Sequence, residues 1–302
     1  MNMTNEFCVL PARPQLQATG PRSLLAHAPA KINLSLLVEP RRKDGFHDLD
    51  SFVAKVTLYD ELDLALRDDG EIRFSCSGAD CGSDENNLAL RAARRLAQGR
   101  NVGGADIKLS KHILPGKGLA GGSSDAAAVL AGLNRLWKLD CTTLELAELG
   151  AELGSDVPLF LAAPTSRMTG RGEILAPALV HPFVVILCVP EFSCPTTEVY
   201  RAFDSLASER LEPIHPDALT RPPSQWRDRL RNQLAAPAMI VQPPLKEMQQ
   251  ELLAAAGMPA MVTGSGSALF VLCDDAQEAS GVWNRIPQHL RRLCTAVMQN
   301  EW

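Results

Sequence analysis

The stretch Leu114-Pro115-Gly116-Lys117-Gly118-Leu119-Ala120-Gly121-Gly122-Ser123-Ser124-Asp125 decides how this chain is read. Four glycines fall within seven residues, then come two hydroxyls and an acid, then the apolar run Ala126-Ala127-Ala128-Val129-Leu130-Ala131-Gly132-Leu133. That order predicts a loop running straight into a helix over residues 125–137, with Ser123 or Ser124 as its cap. Glycines, lacking Cβ, let backbone N–H groups approach a ligand and point at it. The helix start adds unpaired N–H groups and the positive end of the helix dipole. Together they make a site for an anion, most naturally a phosphate. A mobile surface loop with an ordinary helix cap is the competing reading.

The loop is neither of the two common nucleotide loops. A Walker loop needs G-x-x-x-x-G-K-[ST], whereas here Lys117 sits between glycines and no lysine precedes Ser123. A dinucleotide fingerprint needs an acid about 20 residues on, at the next strand. Here the residues that follow stay helical to about Trp137, and the next acids belong to another helix.

Working outward, residues 24–38 read as a strand, 41–45 as a turn and 51–66 as further strands with apolar residues at period two. Residues 72–76 form a short strand, 87–98 an amphipathic helix, 105–113 a strand into the glycine loop, and 143–153 a helix capped by Thr142 or Thr143. Pro177 and Pro182 bracket a domain boundary. Beyond it, 183–189 reads as a buried strand, 197–203 as a short helix and 210–225 as loop. Residues 245–256 read as a helix, 260–263 and 269–273 as strands, 278–285 as a last helix and 296–298 as a closing strand. Strands and helices mix without a regular βα period, which predicts an α+β fold of two lobes. The expected divisions are a loose tail over 1–22, a nucleotide-binding domain over 23–177 and a second domain over 178–302.

The chain has 302 residues, 46% of them hydrophobic and 22% charged, an ordinary globular composition. Its net charge of −5 argues against general nucleic-acid binding but leaves room for a local basic pocket around a small phosphorylated ligand. Eight cysteines, at 8, 76, 81, 141, 188, 194, 273 and 294, show neither C-x-x-C pairs nor zinc-finger spacing. They read as buried free thiols in a reducing compartment. The first residues lack a basic-then-apolar signal pattern, and no apolar run reaches the roughly 18 residues of a membrane span. The expectation is a cytoplasmic protein, monomeric or homodimeric.

A phosphate loop without a Walker lysine needs charge from elsewhere. Lys31 and Asn33 stand two apart in the otherwise apolar strand Pro29-Ala30-Lys31-Ile32-Asn33-Leu34, so they share a face. They are either a solvent-facing edge or a pair that orients a hydroxyl and counters phosphate charge. Asp156, between Gly154-Ser155 and Val157-Pro158, is either a turn or cap aspartate or a general base at the mouth of an apolar segment. Phe46-His47 offers an aromatic face and a ring nitrogen for a base or sugar, or simply a turn histidine. Gly264-Ser265-Gly266 lines the same cleft or makes a tight turn.

Taken together, these segments resemble the GHMP kinases, whose signature P-x-x-x-G-L-[GA]-G-G-S-S is close to the glycine loop. The more specific resemblance is to the family of 4-diphosphocytidyl-2-C-methyl-D-erythritol kinases of non-mevalonate isoprenoid synthesis. It is carried by PAKINLSL (29–36), KDGFHDLDS (43–51), LYDEL (58–62), ENNLALRAA (85–93), GKGLAGGSSDAAAVLAGLN (116–134), GSDVPLFL (154–161), TGRGE (169–173) and TGSGSALFVL (263–272), in family order.

The resemblance implies a two-lobed fold with ATP and acceptor meeting in the cleft between lobes, and γ-phosphate transfer to the acceptor's C2 hydroxyl. It implies Asp156 as the base with Lys31 beside it. It further implies Lys117, Gly118, Leu119, Ala120, Gly121, Gly122, Ser123 and Ser124 around the ATP phosphates with Mg²⁺, and Asn86, Asn87 and Lys111 near the nucleotide. Asn33, Phe46, His47, Thr196 and Tyr200 would form the cytidine side. Leu114 stands where the family usually has the loop proline, and Phe46 where it more often has tyrosine. A GHMP kinase for mevalonate, homoserine or a sugar would not need Phe46, His47 and Tyr200. A non-catalytic ligand-binding member would be expected to lack the lysine, the aspartate or the glycine loop, all of which this chain has.

Overall fold

The computed structural model describes residues 7–13, 15–79, 84–206, 211–290 and 293–297. Its first lobe contains β1 (Leu16–Gly20), β2 (Ser23–Val38), β3 (Leu49–Arg67), β4 (Ile72–Gly78), α1 (Leu88–Ala97), β5 (Gly104–Lys111), α2 (Gly121–Trp137), α3 (Thr143–Leu153), α4 (Val157–Leu161), β6 (Thr165–Gly170) and β7 (Ile174–Pro177). The strands form one sheet in the order β1-β2-β3-β5-β4. The second half of β3 pairs with β5, while its first half pairs with β6, which in turn pairs with β7. The second lobe contains β8 (Val184–Cys188), α5 (Thr196–Asp204), α6 (Pro216–Leu219), α7 (Ala235–Val241), α8 (Pro244–Ala256), β9 (Ala260–Val262), β10 (Leu269–Cys273), α9 (Ala276–Arg285) and β11 (Leu293–Ala296). Its antiparallel sheet runs β11-β8-β10-β9.

The long strand β2 belongs to both lobes. Alternate residues Leu24, Ala26 and Ala28 pack with Leu62, Leu64 and the buried faces of α1 and α2. Farther along, Ala30, Ile32 and Leu34 pack with Val185, Leu187 and Phe270 of the second sheet. Each large apolar side chain removed from water here stabilises the fold by about 1.5–3 kcal/mol. The period of two leaves Lys31 and Asn33 on the opposite side of the strand from Ile32. The extra residues of β3, where register passes from Pro29↔Tyr59 to Ala30↔Val56, mark the changeover between lobes.

Several expectations are corrected. Helix α2 begins at Gly121, inside the glycine run, and neither serine caps it. Part of the supposed loose tail is a strand, because β1 pairs with β2 from Leu16↔Ala26 to Gly20↔Ser23. The β6–β7 hairpin went unpredicted because its residues, Thr-Ser-Arg-Met-Thr-Gly in β6, lack apolar alternation. Helix α6 interrupts the expected loop, and α7 was not foreseen. The last strand ends at Ala296, while Met298 lies outside the described residues. The cysteines divide: Cys188, Cys194 and Cys273 are buried free thiols, Cys8 is exposed, and Cys76 is disulfide-bonded at the end of an edge strand. Cys81 lies outside the described residues.

Candidate active site

The glycine loop is gripped on both sides. The Lys31 N–H donates to Leu119 O (3.1 Å), and the Ala268 N–H donates to Lys117 O (3.1 Å). Gly118 lies at φ +76°, and a Cβ there would come within 2.1 Å of Thr263 O, so only glycine fits. The chain then enters α2 through Ala120 in a left-handed conformation, with no side-chain cap. The first intrahelical bond runs from Ser124 N to Ala120 O. The N–H groups of Gly121, Gly122 and Ser123 stand ahead of it and remain for a ligand. Ser124 Oγ is buried and has no hydrogen-bond partner.

Beneath this helix start lies a closed cluster of charge. The Lys111 ammonium pairs with Asp60 Oδ2 and with Asp125 Oδ2 at 2.6 Å. Asp60 Oδ1 also accepts the N–H groups of His112 (2.5 Å) and Ile113 (2.8 Å), which lead into the loop. A Cβ on Gly121 would stand 2.9 Å from Lys111 Nζ, so its absence lets the helix start settle onto the ammonium. Burial opposes charge on Lys111, but Asp125 and Asp60 outweigh it and raise its pKa. Burial pushes Asp125 well above the usual carboxylate range against the pull of Lys111.

The second charged pair is built differently. Lys31, buried at 6% exposure, donates to Asn33 Oδ1 at 2.6 Å. Asn33 Nδ2 donates to Ser51 Oγ (2.8 Å), and the Asn33 N–H donates to Thr263 Oγ1 (3.0 Å). Asp156 stands at the entrance to α4, half-buried, and its side chain makes no cap hydrogen bond. Burial lowers the pKa of Lys31, and the Asp156 charge partly restores it. The same carboxylate, after burial, helps push the Tyr200 phenol up to about 12.

Helix α4 is fixed at its other end by Lys55, whose ammonium donates to Phe160 O (2.9 Å) and Ala162 O (2.7 Å). A cation on the last carbonyls of a helix is favourable. Lys31 and Lys55 are cross-strand register partners. One lysine thus anchors the end of α4, while its register partner feels the charge of the aspartate at the beginning.

His47 joins the lobes on the far side of the cleft. Its Nδ1 lies 2.9 Å from Glu39 O, and its Nε2 lies 3.2 Å from Asp204 Oδ1 at the end of α5. Its ring meets Tyr200 and Phe203 at centroid distances of 5.2 and 5.7 Å. Phe46 is half exposed, with the Arg171 guanidinium 4.6 Å from its ring centroid. Thr196 and Tyr200 share one face of α5, and Thr196 Oγ1 meets Ser265 Oγ at 3.0 Å.

The expected residues fall in two groups, one around Lys31 and the glycine loop and one around His47 and α5, with one correction at Lys117. Lys111 lies under the loop against Gly121, its ammonium enclosed by Asp60 and Asp125. The Lys117 ammonium is turned into the second lobe, onto Glu191 O, Phe192 O and Ser193 Oγ. Only the backbone at 117 remains for a phosphate. Asn87 caps α1, its Oδ1 accepting Ala89 N at 2.9 Å, and follows Asn86 at the end of a short 3₁₀ turn. Leu88 lies 3.8 Å from the Cβ position of Gly122, which sets both asparagines beside the start of α2. Sequence reasoning missed Asp60, Asp125, Thr263 and Asp204. Asp60 and Asp125 were visible within quoted motifs, whereas nothing local marks Asp204 as a partner of His47. Among the described residues, no group of three or more His, Cys, Asp or Glu side chains could hold a metal, and no helix is long and apolar enough to cross a membrane.

Residues 87–163 match the GHMP kinases N terminal domain and residues 218–292 the GHMP kinases C terminal domain. The chain is 38% identical over 283 residues to a 4-diphosphocytidyl-2-C-methyl-D-erythritol kinase of Synechocystis, covering 86% of this chain and 90% of that one. It is 36% identical to the Bacillus subtilis protein of the same name, over 91% of this chain and 95% of that one. A crystal structure of 4-(cytidine 5'-diphospho)-2C-methyl-D-erythritol kinase superposes with a TM-score of 0.76 at 33% identity, covering 91% of this chain and 100% of that one. An L. major mevalonate kinase shares the fold at 16% identity, with a TM-score of 0.63 over 95% of this chain and 98% of that one. With its glycine loop, its two lobes and these relatives, the chain belongs to the 4-diphosphocytidyl-2-C-methyl-D-erythritol kinase family of the GHMP kinases and is an ATP-dependent small-molecule kinase.

Proposed function

We propose that this kinase transfers the γ-phosphate of ATP to the C2 hydroxyl of 4-diphosphocytidyl-2-C-methyl-D-erythritol, a step toward isoprenoid precursors. The observation that carries the reading is a helix start whose N–H groups are uncapped, in a loop whose Leu119 carbonyl is held by the backbone of the buried Lys31, with the Asp156 charge acting on that lysine. The names of the relatives support the acceptor. Asp156 takes the proton of the hydroxyl as its oxygen forms a bond to the γ-phosphorus. The bond from that phosphorus to the bridging oxygen breaks, and ADP leaves. Lys31 steers the hydroxyl oxygen and offsets charge on the transferring group. The backbone from Lys117 to Ser124 cradles the phosphates, and Asn86 and Asn87 flank the nucleotide. Asn33, Phe46, His47, Thr196 and Tyr200 form the cytidine side, with Phe46 stacking on the ring.

Magnesium fits this arrangement as an ion carried mainly by the phosphates, which needs few protein ligands. The unpartnered Ser124 hydroxyl is the group that would meet it. When bound, Mg²⁺ neutralises charge on the phosphate oxygens. We place the division between the lobes after Pro177, between the sheet drawn from residues 16–177 and that drawn from residues 184–296.

The test is ADP release by purified protein with Mg²⁺, offered the cytidine compound, mevalonate, homoserine and galactose in parallel. Turnover confined to the cytidine compound is expected. Turnover of another acceptor alone would discard the cytidine-side assignments and keep the loop and the Lys31–Asp156 pair.

A further inference from the structure

Lys117 stands inside the phosphate loop, yet its charge belongs to the other lobe. An ammonium has three protons, and three second-lobe acceptors lie within reach: Phe192 O at 2.7 Å, Glu191 O at 2.8 Å and Ser193 Oγ at 3.1 Å. The residue is 4% exposed. Its own carbonyl accepts the Ala268 N–H at 3.1 Å, and Ser267 Oγ donates to Phe192 O at 2.6 Å. At Gly116 a Cβ would stand 3.1 Å from Ser193 Oγ. The loop and residues 191–193 are thus laced together through one buried cation whose partners are neutral oxygens.

That lacing has little slack. Releasing either carbonyl bond strands a buried charged donor, which is costlier than losing the bond to the exposed Ser193. The loop and residues 191–193 therefore move together or not at all. Three residues after Ser193, α5 begins at Thr196. Helix α5 carries Tyr200 and Asp204, which meet His47, and Tyr200 also feels the charge of Asp156. A physical chain runs from the phosphate loop through Lys117 and the base of α5 to the acceptor wall.

We propose that Lys117 is a positioning residue that couples the two substrate sites, so that seating a triphosphate on the loop also sets α5 against the acceptor. The inference rests on reading residues 117–124 as the phosphate loop and α5 as part of the acceptor wall. Coupling of this kind is reciprocal: the acceptor tightens the nucleotide by the factor by which the nucleotide tightens the acceptor.

The experiment is hydrogen exchange on the full chain, read at α5, with and without a non-hydrolysable ATP analogue and Mg²⁺. In the wild type the analogue slows exchange in α5 by about fivefold or more, the lower end of ordinary coupling. In Lys117→Met the slowing falls below about twofold, and Lys117→Arg, which keeps the charge, regains part of it. The Met variant also raises KM for both substrates and makes the acceptor KM independent of ATP concentration. Ser193→Ala removes one of the three acceptors from an exposed residue, so it folds and gives an intermediate slowing, even if the Met variant does not fold. An α5 indifferent to the analogue in the wild type would overturn the proposal. So would equal slowing in wild type and Lys117→Met, or in wild type and Ser193→Ala if the Met variant is unfolded. The exchange readout needs no acceptor, so failure to phosphorylate the cytidine compound would count against that assignment separately.

Discussion

Lys31 on β2 and Lys111 at the end of β5 are almost equally hidden, at 6% and 5% exposure, and are held in opposite ways. Lys111 is pressed between two buried carboxylates, which outweigh burial and strengthen its hold on its proton. Lys31 has one amide oxygen in contact and a single aspartate acting on it, so burial wins and its hold weakens. The difference separates a lysine that builds from a lysine that acts. Around Lys111 the ammonium is already met by two carboxylates, and the unpartnered Asp125 Oδ1 is buried with it. Around Lys31 the charge is under-compensated, which leaves it able to gain from a hydroxyl or phosphate oxygen entering the cleft.

The widest gap between the two regions should appear on removing the aspartate from the acting pair. Asp156→Asn should lower turnover by about 10²–10⁴, the usual worth of a positioned base, with an unchanged melting temperature. Near-wild-type kcat would take Asp156 out of the chemistry. Next in size, Lys111→Met strands Asp60 and Asp125 without a countercharge and should destabilise the fold by about 3–5 kcal/mol in urea titrations. A loss below about 1 kcal/mol would mean the cluster does not bear on stability as described.

Lys31→Met should lower turnover by about 10²–10³, the worth of one charge-stabilising donor, while raising the melting temperature by about 2–4 °C. A folded-state pKa below the ordinary 10.5 means that the native protein releases this proton first as pH rises. Wild-type stability should therefore climb toward that of the variant between the lowered value and 10.5. A drop in stability at neutral pH would put Lys31 with Lys111 as a builder. The smallest effect belongs to Asp125→Asn. Asp125 has its pKa raised by burial, so the native state keeps a proton that the unfolded chain loses from about pH 3.9 upward. Wild-type stability should fall as pH rises through that window toward the raised value, and the amide variant should lack this slope. An identical slope in both proteins would assign the proton elsewhere.

Local pattern made much of this legible. The glycine loop, the spacing of Lys31 and Asn33, the Thr142 capping box of α3 and the apolar strand β8 all follow from neighbours within a few residues. Legibility fails where a partner is distant or polar. Lys111 and Asp60 are 51 positions apart, and Lys117 finds its acceptors 74 to 76 positions away. The resemblance implies Lys117 around the phosphates and Lys111 near the nucleotide, and nothing adjacent in sequence marks the distant partners that take up their charges. The start of α2 was placed four residues late because Gly121 and Gly122 are poor helix formers, and tertiary seating on Lys111 overrides that propensity.

The shared strand β2 also bears on how the chain is made. Synthesis runs from the N-terminus, so Ala30, Ile32, Leu34, Phe52 and Val56 emerge long before Val185, Leu187 and Phe270 that cover them. From the completion of the first lobe at Pro177 until Phe270 has emerged, about 90 residues later, the nascent lobe carries an apolar strip that is not fully covered, the kind of surface on which chaperones act and aggregates begin. A fragment ending near Pro177 would keep that strip permanently.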